Sequence, residues 1–229
     1  RSTCYASHNK PHAHGTGAGP KLLWVGKAPR AMRHRQPGSL IAFTQPRPPN
    51  MHATLHTAHT PLRLEALNAL PEAAFVALLG EVFEHSPWVA QRAFAARPFA
   101  DLPALHAVMV DVVDHASDAE RLALLRAHPE LAGKAAQRGE LTSASTQEQS
   151  RAGLNALSPD EMQQITALNA AYLQRHGFPF IVCVGQHTKA SIFAVFAQRA
   201  AHSPEVELPE ALRQVAAIAL LRLNALIHP

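Results

Sequence analysis

The sequence predicts an all-α protein: one compact domain of about eight helices at residues 61–229, preceded by an irregular basic leader at residues 1–60. Three observations carry that class. Apolar residues recur at three- and four-residue spacing in one segment after another. Serine–proline pairs with the grammar of a helix start stand at Ser86-Pro87 and Ser158-Pro159. No segment shows a two-residue hairpin turn, and none shows the strand–helix alternation of a parallel sheet.

The leader mixes Pro, Gly, Ser, His and Arg, and its apolar runs, Leu22–Val25 and Leu40–Phe43, are far too short to span a bilayer. The expectation is an unstructured stretch. An acid-poor leader containing Arg and Ser also fits an organelle transit segment. The competing expectation takes Met51 as the true start, with what precedes it non-native.

From there the helices follow in order. Pro71 opens a run that carries Phe75, Leu78, Leu79, Val82 and Phe83 on one stripe. Ser86-Pro87 starts the next. From Pro103, Leu105, Val108, Met109, Val112 and Val113 match an amphipathic template. Ser117 caps a segment that turns Leu122 and Leu125 inward. Ser158, Pro159 and Glu161 supply the cap, the first-turn proline and the third-position acid of a capping box, and that helix buries Met162, Ile165, Leu168 and Tyr172. Gly177 closes it. Phe180–Val184 alone reads as extended. Two last helices carry Ile192, Phe193, Phe196 and Ala200, then Leu212, Val215, Ala219, Leu223 and Leu226.

Charge separates the two regions. The net charge of +4 would suggest nucleic acid or an anionic membrane as partner. Nine of the 21 Lys and Arg residues precede Glu65, whereas all 17 acidic residues lie from Glu65 onward, so the domain itself is acidic. Neither a nucleic-acid nor a membrane partner is expected. Two cysteines, Cys4 and Cys183, exclude a disulfide framework and a cysteine zinc site. With no secretory apolar region, a cytoplasmic setting is the default.

Polar residues that break the apolar pattern are candidates for a site, since a core tolerates them only when paired. Arg199 lies on the stripe of Ile192 and Phe196. It either snorkels outward or holds an oxygen-rich ligand with its fork. Asn169, on the stripe of Ile165 and Tyr172, reads as a buried hydrogen-bonding post. Pro129 biases His128 away from helical geometry, so one helix ends there and Pro129 can open a short one. Ser145 and Glu148 read as cap and third position of a capping box, whose helix N-terminus suits an anion. The Phe180–Val184 segment has backbone N–H groups with no ladder partner in view, and these must bond something.

Five motifs stand in order: Glu84-His85-Ser86-Pro87-Trp88; His128-Pro129-Glu130-Leu131-Ala132-Gly133-Lys134; Ser145-x-x-Glu148-Gln149 with Ala152-Gly153-Leu154; Leu168-Asn169-x-x-Tyr172; and Gly177-Phe178-Pro179-Phe180-Ile181. Together they resemble the 2-oxo-4-hydroxy-4-carboxy-5-ureidoimidazoline (OHCU) decarboxylases, over roughly Pro61 to the C-terminus. Ala144 stands where that family often has an acidic residue, and His176 where it commonly has Phe. The resemblance implies a cofactor-free, metal-free homodimer that converts OHCU to (S)-allantoin and carbon dioxide in urate degradation. It carries the catalytic role to His128, with Glu148 beside it. Substrate contacts fall to Pro129, Ser145, Gln149, Phe180, Ile181, Val182, Cys183, Val184 and Arg199.

Those residue types suit the chemistry. Decarboxylation leaves an electron pair on a ring carbon, so the protein must orient the heterocycle, stabilise charge with aimed donors and deliver a proton to one face. A histidine titrating near neutrality fits the last task. A carboxylate at Glu148 can accept ring N–H bonds and repel the departing carboxylate. Two rivals compete. A non-catalytic helical interaction module predicts no polar cleft shared by His128, Glu148 and Arg199. A metal-dependent hydrolase would draw on the many histidines, but the sequence has no HExxH and spaces His106 and His115 nine apart.

Overall fold

The structure, a computed structural model, describes residues 61–228, so the expectations placed on the leader lie outside the described residues. Among these there are ten α-helices, eight of them seven residues or longer. They are α1 (Leu64–Asn68), α2 (Glu72–Leu79), α3 (Pro87–Ala93), α4 (Leu102–Asp114) and α5 (Asp118–Ala127), followed by α6 (Lys134–Arg138), α7 (Ser143–Arg151), α8 (Pro159–His176), α9 (Lys189–Ala200) and α10 (Pro204–Leu226). None is long and apolar enough to cross a membrane.

Helix α10 is the spine: it packs against α4, α5 and α8. Leu105 and Met109 of α4 and Val215, Ala219 and Leu223 of α10 are buried, as the helical spacing predicts. A second group packs α2 and α3 with α4 around Phe75, which meets Phe94 edge-on at 5.5 Å.

Local signals set most boundaries. Ser117 and Ser158 both form complete capping boxes, with Glu120 and Glu161 reaching back to the cap N–H. Gly177 ends α8 with φ 75°, a left-handed conformation that glycine adopts without penalty. The N-cap of α4 is Asp101, two residues ahead of the predicted start at Pro103, accepting from Ala104 N–H at 2.7 Å.

Three expectations are corrected. Helix α2 stops at Leu79, and Val82 and Phe83 are buried from a turn. A side chain at Gly80 would meet the ring of Pro87 at 3.2 Å, so α3 crosses close where α2 ends. No helix opens at Pro129. The N–H of Ala132 bonds the Gln149 side chain at 2.9 Å, and the chain turns through Ala132 at φ 49° before α6 begins. Ser145 is not a cap: Thr142 caps α7 and accepts from Ser145 N–H at 3.2 Å. Glu148 therefore lies mid-helix.

The extended Phe180–Val184 segment is buried but joins no sheet, ending in a 3-10 turn at Val184–Gln186. Among the described residues the strands are β1 (Leu62–Arg63) and β2 (Ile227–His228), parallel, with Leu62 opposite Ile227. Two-residue strands carry no periodicity, so no sequence pattern announces them.

Candidate active site

His128 is placed by its neighbour. Pro129 bars it from helical geometry, so α5 ends and His128 takes φ −74°, ψ 140°. The ring turns back on its own helix, with Nδ1 2.9 Å from the Leu124 carbonyl. A carbonyl only accepts, so this bond assigns the proton to Nδ1 and leaves Nε2 with its lone pair. The side chain is buried, and burial pushes its pKa below the ordinary histidine value, against the pull of the Leu124 carbonyl and of Glu84. Burial therefore favours the neutral ring.

Across from it, Arg222 of α10 gathers the acidic groups. It donates from Nε to Glu148 Oε1 at 2.7 Å and from Nη2 to Glu148 Oε2 at 2.8 Å, a bidentate fork. Its Nη1 lies 2.7 Å from Glu84 Oε2, and Nη2 also reaches Ser145 Oγ at 3.1 Å. Ser145 in turn donates to Glu84 at 2.9 Å, as does Thr142. Burial works to raise the Glu84 pKa, but Arg222 together with the Thr142 and Ser145 hydroxyls outweighs it and the carboxyl stays below its usual range. The result is one arginine between two carboxylates, with Glu84 buried and Glu148 partly exposed.

His128, Ser145, Glu148 and Arg222 line a slot with Pro129, Leu131, Gln149, Ile218 and the apolar residues Phe180, Ile181, Val182 and Val184. Its own free space, about 30 Å³, has room for water-sized molecules but not for a ring. It adjoins a cavity of about 460 Å³ that shares Glu148, Val184, Ile218 and Arg222. The slot thus brings together His128, Pro129, Ser145, Glu148, Gln149 and four of the five predicted residues of the extended segment. Cys183 lines the larger cavity instead. Gln149 also braces the His128 loop, accepting from Ala132 N–H at 2.9 Å and donating to Glu130 O at 3.4 Å. In the same loop a side chain at Gly133 would meet Glu130 Cβ at 2.6 Å, so only glycine fits.

Arg199 does not line the slot. Its Nε and Nη2 bond Glu207 at 2.9 and 2.5 Å, and Nη1 bonds the Ile181 carbonyl behind the slot wall. Asn169 is the buried post expected, donating to Leu131 O at 2.9 Å. His106 bonds Ala216 O of α10 and His115 bonds Asp111 O of its own helix, so the two serve separate contacts. Among the described residues no group of three His, Cys, Asp or Glu is arranged to hold a metal ion.

Sequence reasoning missed Arg222 and Glu84. The signal for Arg222 was present: it stands at i+3, i+4 and i+7 from Ala219, Ile218 and Val215, the stripe position that drew attention to Arg199. Glu84 lay in plain sight in the first of the five motifs, directly after the buried Phe83.

Comparison with known proteins identifies the family. A family model described as OHCU decarboxylase matches residues 68–224. The chain is 41% identical over 162 residues to the OHCU decarboxylase of Haloferax volcanii, covering 71% of this chain and 94% of that one. It is 39% identical over 170 residues to that of Halalkalicoccus jeotgali, covering 74% and 94%. A crystal structure of (S)-allantoin synthase superposes with a TM-score of 0.57 at 31% identity, over 72% of this chain and about half, 54%, of that one. The chain belongs to the OHCU decarboxylase family.

Proposed function

We propose that this chain decarboxylates OHCU to (S)-allantoin and carbon dioxide in urate degradation, in the slot between α5, α7, α10 and the Phe180–Val184 segment. The observation that carries the reading is the meeting of His128, its Nδ1 engaged and its Nε2 free, with the Glu148–Arg222 pair in one narrow slot.

The substrate's own structure sets the steps. Carbon 4 bears the hydroxyl and the carboxylate, and carbon 5 bears the ureido group and the ring C=N bond. When the bond to the carboxylate breaks, its electron pair forms a carbon 4–carbon 5 double bond, and the C=N pair moves onto nitrogen, which takes a proton from water. Nε2 of His128 accepts the hydroxyl proton as the carbon 4 carbonyl forms, and the same proton is returned to one face of carbon 5. One residue thus serves as base and then acid. Glu148, held by Arg222, accepts N–H bonds from the ring or ureido group and disfavours the substrate carboxylate beside it. Pro129, Phe180, Ile181, Val182 and Val184 hold the ring edge-on, and Ser145, Gln149 and Cys183 complete the substrate's surroundings. A heterocycle with a ureido arm exceeds the slot alone, so it occupies the adjoining cavity as well. Arg199 takes no direct part.

We assign no cofactor or metal to these steps, read the active form as a homodimer, and place it in the cytoplasm on cysteine usage. Residues 1–60 contribute none of the groups above. The test is OHCU consumption, followed against its spontaneous decay, with the product's handedness read by circular dichroism. Turnover is expected to yield (S)-allantoin, to survive a strong chelator, and to persist in a chain starting at Met51. Decay no faster than the spontaneous rate contradicts the reading. Loss on chelation with recovery on zinc or manganese restores the metal-dependent alternative.

A further inference from the structure

The apolar wall of the slot is extended chain with no strand beside it, so its backbone polar groups need partners from elsewhere. Two side chains supply them from outside the slot. Arg199 of α9 donates through Nη1 to the Ile181 carbonyl at 2.8 Å, and its guanidinium lies 4.7 Å from the Phe180 ring centroid. Gln214 of α10 accepts from the Cys183 N–H at 2.9 Å. The two bonds flank Val182.

Neither anchor is free to drift. Arg199 is locked by Glu207, which is fully buried and also receives the Tyr172 hydroxyl at 2.5 Å and meets His202 Nδ1 at 2.8 Å. Burial works to raise the Glu207 pKa, yet its bonds to Arg199 and Tyr172 keep it below the usual range. Gln214 donates to Glu210 Oε1 at 2.8 Å, and that same oxygen lies 4.0 Å from Arg199 Nη1, which joins the two anchors. Phe180 is further held by stacking on Phe196, with centroids 3.9 Å apart and planes 8° apart.

We infer that Arg199 and Gln214 are positioning residues for the reaction: together they suspend the Phe180–Val184 wall at the distance from His128 and Glu148 that the substrate ring requires. The inference rests on the slot being the substrate site. Neither residue lines the slot, so each acts only through the wall. A displacement of about 1 Å in a positioned group is enough to cost on the order of 100-fold in rate. Lysine at position 199 keeps the charge but lacks the planar fork needed to bond Glu207 and the Ile181 carbonyl together.

The experiment compares Gln214→Met and Arg199→Lys with the parent and with His128→Ala, measuring kcat and KM for OHCU well below each protein's thermal midpoint. Gln214→Met keeps the side chain's size, removes the acceptor and is expected to fold. A loss of at least about fivefold in kcat/KM, most of it in kcat, is expected for Gln214→Met, and a larger one for Arg199→Lys. A smaller loss in Gln214→Met, with or without a lowered midpoint, overturns the inference by leaving these residues a structural role only. If Arg199→Lys fails to fold, Gln214→Met decides alone. A parent that does not turn over OHCU, or a His128→Ala as active as the parent, removes the slot reading, and the inference falls with it. Active parent and inactive His128→Ala beside an unimpaired Gln214→Met sinks the inference alone.

Discussion

Arg222 and Arg199 are both nearly enclosed, at 8% and 4% exposure, and both hold carboxylates, yet their surroundings divide them. Arg222 faces a slot where its partner Glu148 keeps a side chain 26% exposed, next to a histidine whose Nε2 has no partner among the described residues. Arg199 faces Glu207, which is 0% exposed and closed off by Tyr172 and His202. A buried ion pair is weak evidence for stability, because desolvation offsets much of the attraction. What distinguishes the two is whether the partner carboxylate retains an open side. In the first pair it does, and the pair can meet a substrate. In the second every lone pair points into protein, and the pair can only hold its own surroundings in place.

The sharpest way to break this comparison is Arg222→Met. It leaves the buried Glu84 without a countercharge, and breaking a buried pair costs about 3–5 kcal/mol. Expected results are a large fall in the denaturation midpoint and OHCU turnover at background. Near-parent turnover in the folded fraction contradicts the role given to the open pair.

Glu148→Gln is milder. A capping box would tolerate Gln with little loss, but Glu148 lies mid-helix and bonds Arg222 through both oxygens. Losing a charge-assisted bond costs about 1–3 kcal/mol, with Glu84 still balancing Arg222. Activity is expected to fall by on the order of 100-fold, since both the acceptor for substrate N–H groups and the charge beside the carboxylate are lost. Kinetics and chemical denaturation on one preparation separate the two effects.

The smallest effect is expected behind the sealed pair. His176 packs 4.4 Å from the Tyr172 ring, and neither of its ring nitrogens has a partner among the described residues. Burial lowers its pKa below the ordinary 6.5. The unfolded chain therefore binds the proton more readily, so this residue's contribution is unchanged above that value and turns destabilising as pH falls below it. His176→Phe is expected to raise the thermal midpoint, by about 1 kcal/mol in stability, and to flatten its decline between about pH 7 and pH 5. A steeper acid decline in the variant contradicts this.

The sequence made much of this legible, and the gaps have physical causes. Helix stripes and caps are local, so Ser117, Ser158 and Gly177 could be read residue by residue. Pro129 is equally local, and it placed the break at His128. The cap of α7 is ambiguous in sequence because Thr142, Ser143 and Ser145 can all cap, and the hydrogen bond from Thr142 to Glu84, 58 residues away, belongs to the fold. The short β1–β2 pairing joins residues far apart in the chain, which no local pattern encodes. Arg199 and Arg222 had the same stripe signature, and only the fold shows which carboxylate stays open. The extended segment was rightly seen to need backbone partners, but Gln214, 31 residues from Cys183, could not be found from spacing.

The most direct test of the whole account is single-turnover kinetics of His128→Ala on OHCU, with the product's handedness recorded and helical circular dichroism as the control. The account predicts a parent-like fold, a rate lower by about 10²–10⁴-fold, and allantoin that forms without excess of the S hand. A variant that still produces (S)-allantoin at near-parent rate contradicts it.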